Sequence, residues 1–239
     1  MSCILNIETS TSVCSVALSM DGEVLFAKAS FDGPSHAALL GVFVEEALSV
    51  LKKKGKKALD AVAVSSGPGS YTGLRIGVSV AKGLCFGFGI PLIGIHTLDI
   101  MAATACSKGD SQIVSTTDDL LYCAMLDARR MEVYAAIYNA SLKPVRETKA
   151  DIVEAGTYAS YLEKGKVCFF GNGASKCKPV ITSPNAIFIE DIYPLAVNMI
   201  PLSEQAFAAG KAEDTAYFEP FYLKEFQATV ARNKVLGGR

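Results

Sequence analysis

Histidine is scarce in this chain of 239 residues: there are two, His36 and His96, sixty positions apart, and neither has a second histidine three or four residues away. A helical ligand pair of the His-x-x-x-His kind is absent, so no metal site is expected. The same scarcity disfavours serine–histidine–aspartate chemistry, because no serine or cysteine stands in a nucleophile-elbow string. Cysteine occurs seven times (Cys3, Cys14, Cys85, Cys106, Cys123, Cys168, Cys177) but never as C-x-x-C. That odd, scattered set reads as small core hydrophobes in a reducing compartment. Surplus charge is lacking too: 23 basic and 24 acidic residues leave a net charge of −1, so no global field draws the chain to nucleic acid or to acidic membranes, and any RNA contact needs a local patch. Long apolar runs are missing. The longest uncharged stretch, Gly83 to Leu98, is broken by Pro91 and several glycines and falls short of the roughly 20 residues a bilayer needs. No basic region precedes Glu8, so no signal peptide is expected and the reading is cytoplasmic.

What is present is core. Half the residues are hydrophobic and 20% charged, a globular composition with room for two lobes. The chain is organised around Ser65-Ser-Gly-Pro-Gly-Ser-Tyr-Thr-Gly-Leu-Arg-Ile-Gly77, where a buried strand at Asp60–Val64 ends in a tight turn and a helix opens. Gly67, Pro68 and Gly69 suit the turn, and Ser70 or Thr72 can cap the helix. From Gly73 to Phe88 that helix carries Gly73, Gly77, Ala81 and Cys85 four apart as a small-residue ridge. Its other faces hold Leu74, Ile76, Val78, Val80, Leu84, Phe86 and Phe88, with Arg75 and Lys82 the only charges. A helix apolar nearly all round must be covered on more than one side.

Before it, strands at Cys3–Ile7, Ser15–Leu18 and Val24–Ala27 form a meander with Glu8 at its first bend. A helix from His36 to Lys54, capped by Ser35, follows. Its apolar face (Ala37, Leu40, Phe43, Val44, Ala47, Leu48, Leu51) is widened by Leu39, Val42 and Val50 beyond the need of one sheet. Lys52 to Lys57 reads as a solvated helix end. A strand at Pro91–Ile95 and a helix at Leu98–Cys106 complete a first lobe, residues 1–106. The polar stretch Ser107–Asp119 is the boundary. A second meander then restarts at Leu120–Leu126, with Asp127 at its bend, Glu132–Tyr138 and Pro144–Arg146, which suggests an internal duplication. A helix at Tyr158–Lys164, strands at Val167–Phe170 and Ala186–Ile189, and a helix at Ser203–Lys211 fill the second lobe, residues 107–215. Residues 216–239, with basic Lys224, Arg232, Lys234 and Arg239, are expected to complete the first lobe.

Duplicated meanders with bend acids resemble the actin, sugar-kinase and heat-shock-chaperone superfamily, and the expected fold is α/β with two duplicated, ribonuclease-H-like lobes of mixed sheets flanked by helices. In that resemblance the facing bends grip phosphates. The corresponding cleft residues are Glu8, Thr9, Ser10 and Thr11 on one side, Asp127, Arg129, Gly171 and Gly173 on the other. Backbone gripping of an anion needs glycine near the bend acid, and neither Thr9–Ser12 nor Ala128–Arg130 contains one. The Gly67–Gly73 loop is not a Walker loop, since no Gly-Lys-Ser/Thr follows. Arg75 in the first helical turn opposes the helix dipole unless an acid lies near it. No cofactor is expected to be required, and adenine nucleotide is expected to bind weakly at most.

Ile4-Leu-Asn-Ile-Glu-Thr-Ser-Thr11 with Ser15–Leu18, His36, the Gly67–Gly77 string, Asp127-Ala-Arg-Arg with Glu132-Val-Tyr134, and Glu219-Pro-Phe-Tyr-Leu223 resemble the bacterial TsaB (YeaZ) family. The resemblance implies a non-catalytic subunit of the machinery that makes threonylcarbamoyladenosine in tRNA, supporting a TsaD-like paralogue that holds the metal and performs the transfer. It further implies a TsaE-like ATPase as partner, a homodimer when the chain is alone, and tRNA reached through the complex, with no membrane partner. Pairing in the family runs through the first-lobe helices, here through His36, Leu39, Leu40, Phe43, Ala47, Gly73, Arg75, Ile76, Gly77, Val80, Ala81 and Leu84. Two other readings stay open: an autonomous nucleotide-dependent enzyme of the sugar-kinase superfamily, and a peptidase, a label attached to the wider family.

Overall fold

The computed structural model describes residues 2–33, 35–55, 58–107 and 120–224. The boundary stretch 108–119, Lys56 and Lys57, and the basic residues Arg232, Lys234 and Arg239 lie outside the described residues.

Two five-stranded mixed sheets carry the fold. The first is built from β1 (Cys3–Glu8), β2 (Cys14–Met20), β3 (Glu23–Ser30), β4 (Ala61–Gly67) and β5 (Leu92–His96), in the order β3-β2-β1-β4-β5. The meander β1–β2–β3 is antiparallel, whereas β1, β4 and β5 run parallel. Parallel strands buried on both faces read as continuous apolar runs, which is why β1 and β4 show no alternation and are buried at every position. The second sheet repeats the plan with β6 (Leu121–Asp127), β7 (Glu132–Tyr138), β8 (Pro144–Ile152), β9 (Val167–Phe170) and β10 (Ala186–Ile189), in the order β10-β9-β6-β7-β8. Mapping β6 onto β1 carries each strand onto its equivalent. The duplication inferred from two bend acids is therefore one of topology.

Helices α1 (His36–Lys53) and α2 (Tyr71–Phe88) cover one face of the first sheet. Leu40, Phe43 and Ala47 of α1 and Val78, Ala81 and Cys85 of α2 pack there on Leu5, Ile7, Val62 and Val64. The opposite face, with Ile4, Ala63 and Ile93, meets Ile100 of α3 (Thr97–Ser107) and Met199 of α6 (Ala196–Ala208). α3 turns its other residues, Leu98, Met101, Ala102 and Ala105, onto Ala124, Leu126, Ala136 and Phe170 of the second sheet. The short helices α4 (Ala159–Leu162) and α5 (Ala174–Cys177) close the far face of that sheet over Met125, Ala135 and Phe169.

Several boundaries differ from the sequence reading. β8 extends to Ile152 rather than Arg146 because it is an edge strand, where polar residues such as Glu147 and Lys149 face solvent and mask the apolar pattern. α6 begins at Ala196, seven residues before Ser203, and runs through Pro201. Proline removes one helical donor; here it sits on the exposed side, and burial of Ala196, Met199 and Ile200 holds the turn together. Although α6 falls within the sequence range 107–215, it rests on the first sheet, where Ser15 Oγ accepts from Ala196 N at 2.9 Å. Ser35 precedes α1 but does not cap it through its side chain: its Oγ donates to Gly33 O at 3.2 Å, and its carbonyl receives Ala38 N and Leu39 N.

Candidate functional site

The bend after β1 is a buried polar knot. Glu8 is fully buried; one carboxylate oxygen accepts from Ser10 N at 2.5 Å and the other has no partner among the described residues. Removal from water penalises the charged form, and burial pushes the Glu8 carboxyl up to about 7, although the neighbouring polar groups of Ser10 and Ser65 pull the other way. Thr9 N donates to Ser65 Oγ at 3.4 Å, and Thr9 Oγ1 donates to Gly73 O at 2.8 Å. His36 Nε2 lies 2.7 Å from Thr11 O; a carbonyl can only accept, so that nitrogen carries a proton. Ser10 Oγ and His36 Nδ1 are buried without a partner among the described residues.

The glycine loop closes directly onto this knot. Ser70 N donates to Ser10 O at 2.6 Å, and Ser70 Oγ caps α2 by accepting from Gly73 N at 3.2 Å. A Cβ on Gly69 would lie 2.3 Å from Ser10 O, one on Gly73 2.1 Å from Thr9 O, and one on Gly77 2.2 Å from Thr9 Oγ1. The small-residue ridge is thus where α2 meets the first bend of its own lobe. At Gly67 the backbone has φ +106°, and a Cβ would also strike Phe221 O at 2.8 Å, so only glycine serves there.

The segment after α6 runs along the open edge of the first sheet. Glu213 N donates to Leu92 O and Phe221 N to Ser66 O, while Lys82 Nζ reaches the carbonyls of Ala216 and Phe218. Tyr222 arrives beside Tyr71, ring centroids 5.1 Å apart, and accepts from Arg75 Nε at 3.2 Å; the Arg75 guanidinium lies 4.2 Å from the Tyr71 centroid. Arg75 in the first turn of α2 is accommodated chiefly by these two rings, with the charge of Glu219 adding to them.

Opposite stands the β6–β7 bend. Asp127 Oδ1 accepts from Arg129 N at 2.8 Å and pairs with Lys176, and Glu132 pairs with Lys224 of the C-terminal segment. Arg129 and Arg130 adopt positive φ (71° and 47°) and are exposed. Between the two bends lies a cleft of about 1090 Å³.

Of the residues expected to form it, Ser10, Thr11, Asp127 and Arg129 line the cleft. Glu8 and Thr9 lie beneath it as the support of the first bend. Gly171 and Gly173 do not line it: they pack on Met101, Met125 and Leu126, and Asn172 between them reaches the cleft, its Oδ1 taking Asp127 N at 3.0 Å. The sequence reading missed Tyr71, Glu132, Tyr134, Asn172, Tyr222 and Lys224 as cleft residues. Tyr71 and Tyr222 sat inside two of the strings that resemble the family, and their pairing across the fold carried no local signal.

The interface set divides in a similar way. His36, Leu40, Phe43, Ala47, Gly73, Gly77 and Ala81 are buried within the monomer, against the first sheet and its first bend, and so offer little surface to a partner. Leu39, Ile76, Val80 and Leu84 are half-buried and Arg75 is exposed; with them Val42 (47% exposed), Phe86 (89%) and Phe88 (48%) leave apolar surface uncovered on the two helices.

The second histidine, His96, has Asp99 three residues on, but that carboxylate accepts from Tyr138 OH at 2.6 Å. His96 Nδ1 lies 3.5 Å from Ser66 Oγ, beyond the reach of an efficient proton transfer. Neither residue lines the cleft. Among the described residues no group of three or more His, Cys, Asp or Glu is placed to hold a metal, and no helix is long and apolar enough to cross a membrane.

Residues 32–231 match the family model for tRNA N6-adenosine threonylcarbamoyltransferase, TsaD. The Escherichia coli tRNA threonylcarbamoyladenosine biosynthesis protein TsaB is 32% identical over 92% of this chain and 94% of its own length. A tRNA N6-adenosine threonylcarbamoyltransferase of Nitratidesulfovibrio vulgaris is 38% identical, over 41% of this chain and 31% of its own. Among solved structures, YeaZ from Pseudomonas aeruginosa superposes with a TM-score of 0.73 at 26% identity, covering 93% of this chain and all of that one. A second structure from that organism, described as similar to peptidase YEAZ, gives 0.75 at 25% identity over 94% of this chain.

Proposed function

Since the chain belongs to the TsaB (YeaZ) family, in the duplicated-lobe fold of the actin and sugar-kinase type, we propose that it serves tRNA threonylcarbamoyladenosine biosynthesis as a non-catalytic subunit that docks on a TsaD-type transferase and activates it. The observation that carries this reading is the uncovered apolar surface of α1 and α2. Two neighbouring helices that already bury a full face on their own sheet keep Val42, Phe86 and Phe88 in solvent beside half-buried Leu39, Ile76, Val80 and Leu84. Large apolar side chains left exposed on two neighbouring helices are a mark of an interaction site. The Nitratidesulfovibrio vulgaris transferase is similar to this chain over 41% of it, which supports a transferase of that type as the partner. A TsaE-like ATPase is the further partner of the assembly, self-pairing covers the same helices when the chain is alone, and tRNA is engaged by the assembled complex in the cytoplasm.

An autonomous kinase-like enzyme is the weaker reading, because the loop and bend that would grip phosphates are bonded to each other through Ser70 N and Ser10 O. A peptidase finds no support in the 3.5 Å gap between Ser66 and His96.

The test is reconstituted transfer of the threonylcarbamoyl group to tRNA by the TsaD-type enzyme, with and without this chain. The expected result is a rate that rises with added chain and saturates near equimolar ratio. An unchanged rate overturns the proposal.

A further inference from the structure

The cleft has a charge pattern and an aromatic wall that subunit docking does not use. Its two lining carboxylates are already neutralised, Asp127 by Lys176 and Glu132 by Lys224. Arg129 and Arg130 remain, exposed on the rim, with no carboxylate partner among the described residues. In a chain of net charge −1, this leaves the rim with a local excess of positive charge among the described residues. Tyr71, Tyr134 and Tyr222 line the same space, and Arg75 stacks on Tyr71 at 4.2 Å while donating to Tyr222 OH. Cationic rim and half-buried aromatic rings are the two parts of a single-strand site: arginines track phosphodiesters, and rings stack bases.

The floor argues against a free polyphosphate. A polyphosphate cradle is made of backbone N–H groups on a glycine-rich loop, whereas here Ser70 N and Gly73 N are spent on Ser10 O and Ser70 Oγ. The opposite bend, Ala128-Arg129-Arg130, has side-chain cations and no glycine. Charge therefore comes from long side chains at the mouth, where a strand passing across the cleft meets it.

We infer that the mouth of the cleft binds single-stranded RNA, with Arg129 and Arg130 on phosphates and the Tyr71–Tyr222 pair stacking a base. The choice of RNA over another polyanion rests on the tRNA-linked reading above; the binding itself does not require the transferase.

Fluorescence anisotropy of a labelled oligoribonucleotide of about ten residues, titrated with the full chain alone, reads the proposal without any transfer reaction. Activation of the transferase can thus stand while this inference fails, and the reverse. The wild-type chain is expected to bind with Kd of about 1–100 µM and to weaken as salt rises, log K falling by about 0.7 per phosphate contacted for each decade of salt. Arg129→Gln with Arg130→Gln should lower that slope by about 1.4. Tyr222→Leu should weaken binding about tenfold, and Tyr222→Phe, which keeps the ring, should bind like wild type. Circular dichroism confirms that each variant is folded. No binding below about 100 µM, an unchanged salt slope in the arginine variant, or displacement of the RNA by an equal concentration of ATP or inorganic phosphate each overturns the inference.

Discussion

Thr9 Oγ1 donates to Gly73 O at 2.8 Å, and through that bond the first bend of the chain is joined to the first turn of α2. The same oxygen lies 2.2 Å from where a Cβ on Gly77 would be placed. The β1–β2 bend, the glycine loop and the helix after it are one packed unit, and its tolerance to change can be read residue by residue.

Gly77→Leu forces a side chain into the Thr9 hydroxyl and breaks its bond to Gly73. A loss of about 2–4 kcal/mol is expected, the sum of overpacking and one buried hydrogen bond. Gly83 in the same helix meets nothing within 4 Å, so Gly83→Ala should stabilise the chain by about 0.5–1 kcal/mol. Urea unfolding of both variants checks the contrast; equal effects would show that the ridge is not in contact with Thr9.

Glu8 gives the fold a pH dependence. Its folded-state pKa, about 7, lies above the ordinary carboxylate value of 4.5, so the folded chain holds a proton that the unfolded chain releases. Its contribution is fully present below about 4.5 and is lost as pH rises through 7, a change on the order of a few kcal/mol. Glu8→Gln should remove this slope and be more stable than wild type at pH 8, with little difference at pH 5. Chemical denaturation across that range tests it, and parallel profiles would refute it.

In the second lobe, Arg146 and Asp151 form an ion pair on β8 with side chains only 16% and 11% exposed. Tyr158 OH also donates to Asp151 Oδ2, at 2.8 Å. Asp151→Ala strands both donors and should cost about 3 kcal/mol, whereas Arg146→Met with Asp151→Leu, which removes both charges, should cost less than the single change. A double-mutant thermal series measures the difference.

Docking on the transferase should respond to the outward residues alone. Val42→Glu and Phe86→Ser alter side chains that touch solvent in the monomer, and each is expected to weaken association about tenfold or more while leaving the melting temperature within about 2 °C. Titration calorimetry against the TsaD-type partner is the measurement; wild-type affinity in both would move the interface elsewhere.

The fold was largely legible because its signals are local. The mainly apolar runs of β1 and β4, the glycine loop between strand and helix, and the bend acids Glu8 and Asp127 each report a nearby constraint. Legibility failed where the deciding contact is distant. Pro201 hid the start of α6 because its helix is held by burial against the first sheet, and β8 looked short because an edge strand shows solvent one of its faces. For the site, hydroxyls and arginines of the two bends were readable as cleft residues. Burial was not: the ridge Gly73–Gly77–Ala81 has the spacing of an interface between chains, and only the position of Thr9 reveals that it faces inward. Tyr222 and Lys224 reach the cleft through a segment whose path along β5 no periodicity announces.

α3 gives Ile100 to the core of one sheet and Leu98, Met101, Ala102 and Ala105 to the core of the other. Neither lobe can lose its packing without exposing residues the other depends on. Heating should therefore melt the chain in one cooperative step despite its two-lobed ancestry, and a half-chain expressed alone would be left with an uncovered sheet face.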